Sequence, residues 1–257
     1  MTPTAECNHL CLHCWRPIDD MLRLGDPGEP KELMDGILFE QQRILSGYGG
    51  AKTTDLARLK EAQSPKHVAI SLMGEPTLYP HLKELIEEIS RKDMTSFLVT
   101  NGTKPDVLQD LRPTQLYLSL NAPDSILYER ICNPRGDLWG KILESLVIMK
   151  DHPSRTVVRM TLARGMNMNM QDIEGFTRLL DRAEPDFVEV KAYMHLGRSR
   201  ERLDRSSMPS HSEIMEFASI LGESIGYNLA GEVPLSRVAL LSRGHIPAAI
   251  GPGEPSP

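Results

Sequence analysis

Three of the chain's four cysteines lie within eight residues, in the run Cys7-Asn8-His9-Leu10-Cys11-Leu12-His13-Cys14. A C-x3-C-x2-C spacing puts three thiolates on one tight loop, where they can bind three irons of a [4Fe–4S] cube and leave the fourth iron open. The competing reading is a structural zinc site with His9 or His13 as fourth ligand. Zinc knots usually draw their ligands as separated pairs from different elements, whereas these candidates share one short loop. The fourth cysteine, Cys132, stands alone and is expected to be a partly buried structural thiol.

Further polar residues fall at the ends of apolar runs. Gly74-Glu75-Pro76 follows the run His67–Met73, and Thr100-Asn101-Gly102 closes Ser96–Thr100. Ser119 and Asn121 end the run Gln115–Leu120. Arg159 and Thr161 alternate on Thr156–Leu162, and Glu189 and Lys191 alternate on Phe187–Ala192. Two residues apart on a strand means one face, so Glu189 and Lys191 are expected to pair there, with Lys191 a weak candidate for anchoring a carboxylate. After Lys191 comes the basic stretch Arg198-Ser-Arg200-Glu-Arg202-Leu-Asp-Arg205. It fits phosphate binding, or else a solvated loop half neutralised by Glu201 and Asp204.

These residues need a scaffold. The apolar runs alternate with amphipathic segments: Leu82, Leu85, Ile86 and Ile89 share one helical face, as do Ile173, Phe176, Leu179, Leu180 and Ala183. A short helix is expected after Pro105, a helix around Leu138–Lys150, and another over Ser210–Gly226, opened by a Ser210/Glu213 capping box. Val238–Leu241 is expected to add a last strand, and a short first strand is expected before Cys7. Alternation of this kind specifies βαβ units and a parallel sheet. Polar residues gathered at the carboxyl ends of successive strands select a barrel rim over an open sheet. The expected fold is α/β, a partial (β/α)6-type parallel barrel over residues 1–245, with a Gly/Pro-rich disordered tail over 246–257.

The bulk numbers narrow the setting. With 257 residues and a net charge of −6, the chain has no global field for polyanions, so such a partner must meet a local basic patch. No apolar run approaches a membrane span and no signal-peptide pattern opens the chain, so a cytoplasmic protein is expected.

The three-cysteine spacing, with a ring-bearing residue (His13) before the last cysteine, resembles the signature of the radical S-adenosylmethionine (radical SAM) superfamily. Gly74-Glu75-Pro76 is similar to that superfamily's Gly-Gly-Glu segment, with Met73 in place of the first glycine. The resemblance implies that the open iron chelates S-adenosylmethionine and that one electron cleaves it to a 5′-deoxyadenosyl radical. It also implies cofactor contacts from His13, Gly74, Glu75, Thr100, Asn101, Ser119 and Asn121 (the last two toward the ribose), and from Arg159 and Thr161 toward the methionine carboxylate or substrate.

The strings CWRPID, KHVAISLMGEPTLYP, FLVTNGTKPDVL, PTQLYLSLNAPD, DFVEVKAYMHLGRSR and RVALLSR resemble the 4-demethylwyosine synthases of archaeal type, without a flavodoxin domain. That implies a carbon–carbon lyase of tRNA modification in wybutosine biosynthesis. It joins two carbons of pyruvate to N1-methylguanosine at position 37 of tRNA-Phe, with loss of the pyruvate carboxylate. A separate electron donor such as flavodoxin or ferredoxin, a monomeric enzyme, and tRNA contacts from Arg198, Arg200, Arg202 and Arg205 are also expected. The family carries a second cluster and a pyruvate-engaging lysine upstream of the radical motif. The sequence as given starts six residues before Cys7, so that half of the site is expected to be missing and activity impaired. A radical enzyme with another substrate, or a non-catalytic cluster- or tRNA-binding module, are the alternatives.

Overall fold

In the computed structural model, which describes residues 1–17, 28–244 and 250, a seven-stranded mixed sheet carries the chain's helices. Its parallel part comprises β1 (His67–Ile70), β2 (Thr95–Thr100), β3 (Gln115–Ser119), β4 (Arg155–Leu162) and β5 (Phe187–Ala192), hydrogen-bonded in that order. An antiparallel hairpin completes it: β7 (Val238–Ser242) pairs with β5, and β6 (Asn228–Val233) forms the far edge. The alternating βα pattern is thus borne out, with five parallel strands. The last predicted strand runs antiparallel because a hairpin, not a helix, returns the chain to the sheet.

The helices are α1 (Pro30–Leu45), α2 (Leu56–Ala62), α3 (Leu82–Arg91), α4 (Pro105–Leu108), α5 (Ser125–Cys132), α6 (Trp139–Lys150), α7 (Asp172–Ala183) and α8 (His211–Ile225). Alternate strand residues point into one core. Ile70, Leu98, Leu118, Val158, Met160, Val188 and Val190 form one buried cluster with Leu85 and Ile89 of α3, Leu146 of α6, Phe176 of α7 and Phe217 of α8. Side chains of this size stabilise by about 1.5–3 kcal/mol each when fully buried. The opposite strand faces carry Val99, Tyr117, Ser119, Arg159, Thr161, Glu189 and Lys191, most of them only partly buried. One strand face is therefore sealed by helices and the other is left for chemistry.

Local signals set the boundaries. The capping box of α8 is formed: Ser210 Oγ accepts the Glu213 N–H at 3.2 Å, and Glu213 Oε2 accepts the Ser210 N–H at 2.8 Å. Asp124 caps α5 by accepting the Leu127 N–H at 2.8 Å. The short strand expected before Cys7 is not formed. Residues 1–6 run beside β1 with only isolated bonds, such as Ser71 N–H to the Met1 carbonyl at 3.0 Å. Gly74-Glu75-Pro76 consequently follows the first strand of the sheet, not the second. The tail read over 246–257 lies, apart from residue 250, outside the described residues.

Candidate active site

The cysteine loop is pinned from two sides. On one side His9 bridges to Pro134, Leu10 N–H bonds to the Cys132 carbonyl at 3.0 Å, and Leu12 N–H bonds to the Ile131 carbonyl at 2.9 Å. On the other, the Arg202 guanidinium donates Nε–H to the Leu12 carbonyl at 3.3 Å and bonds to the Cys14 carbonyl. Gly197 presses on the same loop: its Cα lies so close that a Cβ would sit 2.3 Å from the Trp15 carbonyl oxygen. The three thiols are partly buried and held at the mouth of one cavity.

The turn after β1 is built for close approach. Gly74 has φ +74°, and a Cβ there would lie 2.2 Å from the Thr4 carbonyl oxygen and 2.7 Å from that of Glu6. Only glycine lets this turn nest against the chain leading into Cys7. Leu72, just ahead, holds φ +88°, an uncommon state for a leucine and a local strain at the cavity wall.

Glu75 sits at the centre, 2% exposed. Its Oε1 accepts the Thr77 N–H (3.0 Å), the Thr77 hydroxyl (2.7 Å) and the Thr100 hydroxyl (2.6 Å), and its Oε2 accepts the Asn101 N–H (2.7 Å). Burial pushes its carboxyl above the ordinary range, and these four donors oppose that shift. Asn101 carries the network on: its Nδ2–H donates to Asn8 Oδ1 at 2.7 Å, and Asn8 Nδ2–H donates to Thr103 Oγ1 at 2.7 Å. Asn8 and Thr103 thereby lock the cysteine loop to the end of β2, a role the sequence did not announce.

Across the cavity, Asn121 Oδ1 accepts the Thr161 N–H at 2.9 Å while its Nδ2 lies 3.5 Å from His13 Nε2. Burial, then the Arg202 and Lys191 charges, holds His13 down at about 4, so its imidazole is neutral near pH 7. Tyr193 is buried beneath, its hydroxyl 3.0 Å from Ser199 Oγ and 3.2 Å from His195 Nδ1.

The resulting cavity is about 480 Å³. Cys7, Cys11, His13 and Cys14 line it together with Gly74, Glu75, Thr100, Asn101, Ser119, Asn121, Thr161 and Lys191. All lie at or beyond the carboxyl ends of β1 to β5, the end at which barrel active sites are built.

Three expectations are corrected. Arg159 is not part of this lining. Its Nε lies 2.7 Å from Glu189 Oε1, its second guanidinium nitrogen donates to Oε2 at 3.1 Å, and the group stacks on Tyr117 with 4.5 Å to the ring centre. Glu189 therefore pairs with Arg159 on the neighbouring strand, in direct register, and not with Lys191 on its own. Arg202 is likewise committed to the Leu12 and Cys14 carbonyls, so it braces the cysteine loop instead of reaching outward. Arg198, Arg200 and Arg205 remain exposed, with Arg198 paired to Glu201 at 2.7 Å.

The donor chemistry fits an iron–sulfur cluster. Burial pushes the Cys7 thiol up to about 12 and raises Cys14, and the Cys132 contact together with burial raises Cys11. Three thiols on one loop are the donor set that a [4Fe–4S] cluster takes. The polar groups that line the same cavity fit a ligand with amino, carboxylate and ribose groups.

Comparison with known proteins agrees. The family model described as the radical SAM superfamily matches residues 1–180, and that described as wyosine base formation matches residues 182–243. The S-adenosyl-L-methionine-dependent tRNA 4-demethylwyosine synthase of Pyrococcus abyssi is 43% identical over 254 residues, covering 95% of this chain and 74% of that protein. The chain belongs to the radical SAM family of tRNA 4-demethylwyosine synthases. The enzyme of that name from Methanocaldococcus jannaschii is also 43% identical, over 91% of this chain and 77% of its own length. Among solved structures, TYW1 with a lysine-pyruvate adduct bound superposes with a TM-score of 0.84 at 40% identity, covering 98% of this chain and 80% of that one. Archaeal TYW1 superposes with a TM-score of 0.75 at 39% identity, over 89% and 75% of the two chains. As in its family, this chain is a radical SAM enzyme that uses a [4Fe–4S] cluster and S-adenosylmethionine.

Proposed function

We propose that this chain modifies N1-methylguanosine at position 37 of tRNA-Phe with two carbons of pyruvate, forming 4-demethylwyosine. One observation carries the reading: three thiols and a set of polar strand-end residues line one cavity, in a chain 43% identical to enzymes of that name. An N-methyl C–H bond is beyond acid–base catalysis by side chains, and cluster-bound S-adenosylmethionine supplies a 5′-deoxyadenosyl radical equal to it.

In this reading the chain's own residues bind and orient. Cys7, Cys11 and Cys14 ligate the cluster. The backbone of Gly74 and Glu75 offers carbonyls to the methionine amino group, because the Glu75 carboxylate is already saturated by Thr77, Thr100 and Asn101. Ser119 and Asn121 offer hydrogen bonds to the ribose, and Thr161 to the carboxylate end. His13, neutral near pH 7, closes the cavity over the ligand without adding charge.

Lys191 has no ion-pair partner among the described residues, and burial with the Arg159 charge lowers its pKa. We assign it the anchoring of a carboxylate, that of the cofactor or of pyruvate. Lys191→Met then raises KM for the ligand it holds, and Lys191→Arg recovers part of the loss. Arg198, Arg200 and Arg205 form the outward face for tRNA phosphates. Residues 1–245 act as one catalytic domain, a monomer in the cytoplasm served by a flavodoxin or ferredoxin.

The test is anaerobic reconstitution, reduction, and chromatography for 5′-deoxyadenosine, then for the tricyclic base after adding pyruvate and tRNA-Phe carrying N1-methylguanosine. 5′-Deoxyadenosine is expected, and the tricyclic base with it when the protein tested carries the family's second cluster and pyruvate-engaging lysine. 5′-Deoxyadenosine without the tricyclic base, in a protein that carries both and binds the tRNA, would assign another substrate. Absence of both products in iron-loaded protein would leave only a binding module.

A further inference from the structure

One group of ligating side chains is used only in part by the chemistry above, which takes Cys11 and leaves His9 and Cys132. His9, Cys11 and Cys132 each bring a ligand atom to within 4.8 Å of the other two. The trio lies under the cysteine loop, where His9 is 5% and Cys132 3% exposed. Its geometry is enforced by the backbone: Leu10 and Leu12 bond to the carbonyls of Cys132 and Ile131, which pins the chain on both sides of Cys11 to the last turn of α5. Tyr128, on the same helix, fixes the imidazole through a 2.7 Å contact with His9 Nε2.

Around a tetrahedral zinc-class ion, sulfur at about 2.3 Å and imidazole nitrogen at about 2.0–2.1 Å place ligand atoms roughly 3.5–3.8 Å apart. A contraction of about 1 Å therefore closes the trio on an ion. Two sulfurs and one imidazole favour a zinc-class cation over magnesium or calcium. Binding breaks two S–H bonds and releases two protons to solvent, with water as the fourth ligand.

We propose that His9, Cys11 and Cys132 form a mononuclear zinc-class site in the cluster-free protein, and that ion and cluster exclude each other because both need Cys11. The exclusion rests on the cluster assignment of Cys7, Cys11 and Cys14; the ion site does not.

The probe is Co²⁺, added without oxygen to the full cluster-free chain and read by its visible d–d and near-ultraviolet thiolate charge-transfer bands. One tetrahedral Co²⁺ per chain is expected. Cys132→Ala should weaken binding at least tenfold yet still take up a cluster, which also shows that it folds. Cys132→Ser serves as a second variant, since a hydroxyl is a poor zinc-class ligand. The double variant Cys7→Ala/Cys14→Ala should bind Co²⁺ as the parent does and take no cluster. Prior loading with one equivalent of Zn²⁺ should block cluster uptake in the parent but not in Cys132→Ala. Co²⁺ binding untouched by both Cys132 substitutions, or lost in the double variant, would put the ion on the cluster cysteines and overturn the proposal. If no variant takes up iron but the Co²⁺ pattern holds, the ion site stands and the cluster reading falls.

Discussion

The Glu75 carboxylate and the Asn101 backbone N–H, on the turns after adjacent strands β1 and β2, are joined by a 2.7 Å hydrogen bond. Through Asn101 and Asn8 this bond reaches the cysteine loop, so one buried carboxylate ties the ends of β1 and β2 to that loop. Glu75→Gln keeps the size but turns one acceptor into a donor, which cannot meet all four N–H and O–H groups. A loss of about 1–3 kcal/mol of stability is expected, with a raised KM for S-adenosylmethionine. Thermal unfolding and steady-state cleavage kinetics measure the two effects. A variant with parental stability and KM would remove Glu75 from this role.

Gly74→Ala should be more disruptive than its size suggests. The added Cβ meets two backbone carbonyls, and the residue must hold φ +74°. About 2 kcal/mol or more of destabilisation is expected, together with reduced iron retention, since the displaced segment leads into Cys7. Iron content per folded chain checks this.

Cluster occupancy separates the four cysteines. Reconstituted protein should hold about four irons per chain on the described triad. Cys7→Ala, Cys11→Ala and Cys14→Ala should each abolish the brown chromophore, and Cys132→Ala should keep it. Iron analysis with absorption spectroscopy decides, and stoichiometric zinc without iron uptake would defeat the radical reading.

The arginines of the basic stretch should divide by role. Replacing Arg198, Arg200 and Arg205 together by Ala should weaken tRNA binding and lower the slope of log K against log salt by roughly two to three. Cofactor cleavage without tRNA should change little. Arg202→Ala should do the reverse, loosening the Leu12 and Cys14 carbonyls and costing iron while sparing the salt slope. Equal behaviour of the two variants in filter binding and iron assays would contradict the division.

Acid should strip α8 of its cap. The Arg164 ion pair and the Ser210 bonds lower the Glu213 carboxyl from 4.5 to about 2. A carboxyl with a depressed folded-state pKa adds stability above about 4.5, and that contribution is lost as pH falls through about 2. Glu213→Gln should therefore be less stable than the parent at pH 7, and the gap should close below about pH 2. Denaturant unfolding at several pH values measures the gap. A gap independent of pH would exclude the charged form as its source.

The parallel strands were legible as short apolar runs, α3 and α7 by their apolar stripes and α8 by its Ser210/Glu213 capping box, while α3, α6 and α7 start without a side-chain cap. The hairpin strand β6 was not, since Asn228–Val233 lies at a sheet edge with most side chains exposed and no alternation to detect. Helices α1, α2 and α5 were also missed; α1 buries only Pro30 and Met34 and α2 buries none of its residues, too few to leave a stripe. In the site, residue type and strand-end position picked out the cavity wall. Arg159 and Arg202 misled because pairing across strands and across 188 or more residues leaves no local trace. Asn8 and Thr103 carried no signal beyond being small polar residues beside the cysteine and glycine turns.

The brace from Arg202 to the cysteine loop also sets an order of events during synthesis. The cysteines leave the ribosome first, yet their guanidinium clasp lies 188 to 190 residues later in the chain. At about 5–20 residues per second, that interval is roughly 10–40 s. Throughout it the thiols are exposed on a nascent chain that lacks its finished loop, open to oxidants, stray metal ions and any carrier that delivers iron and sulfide.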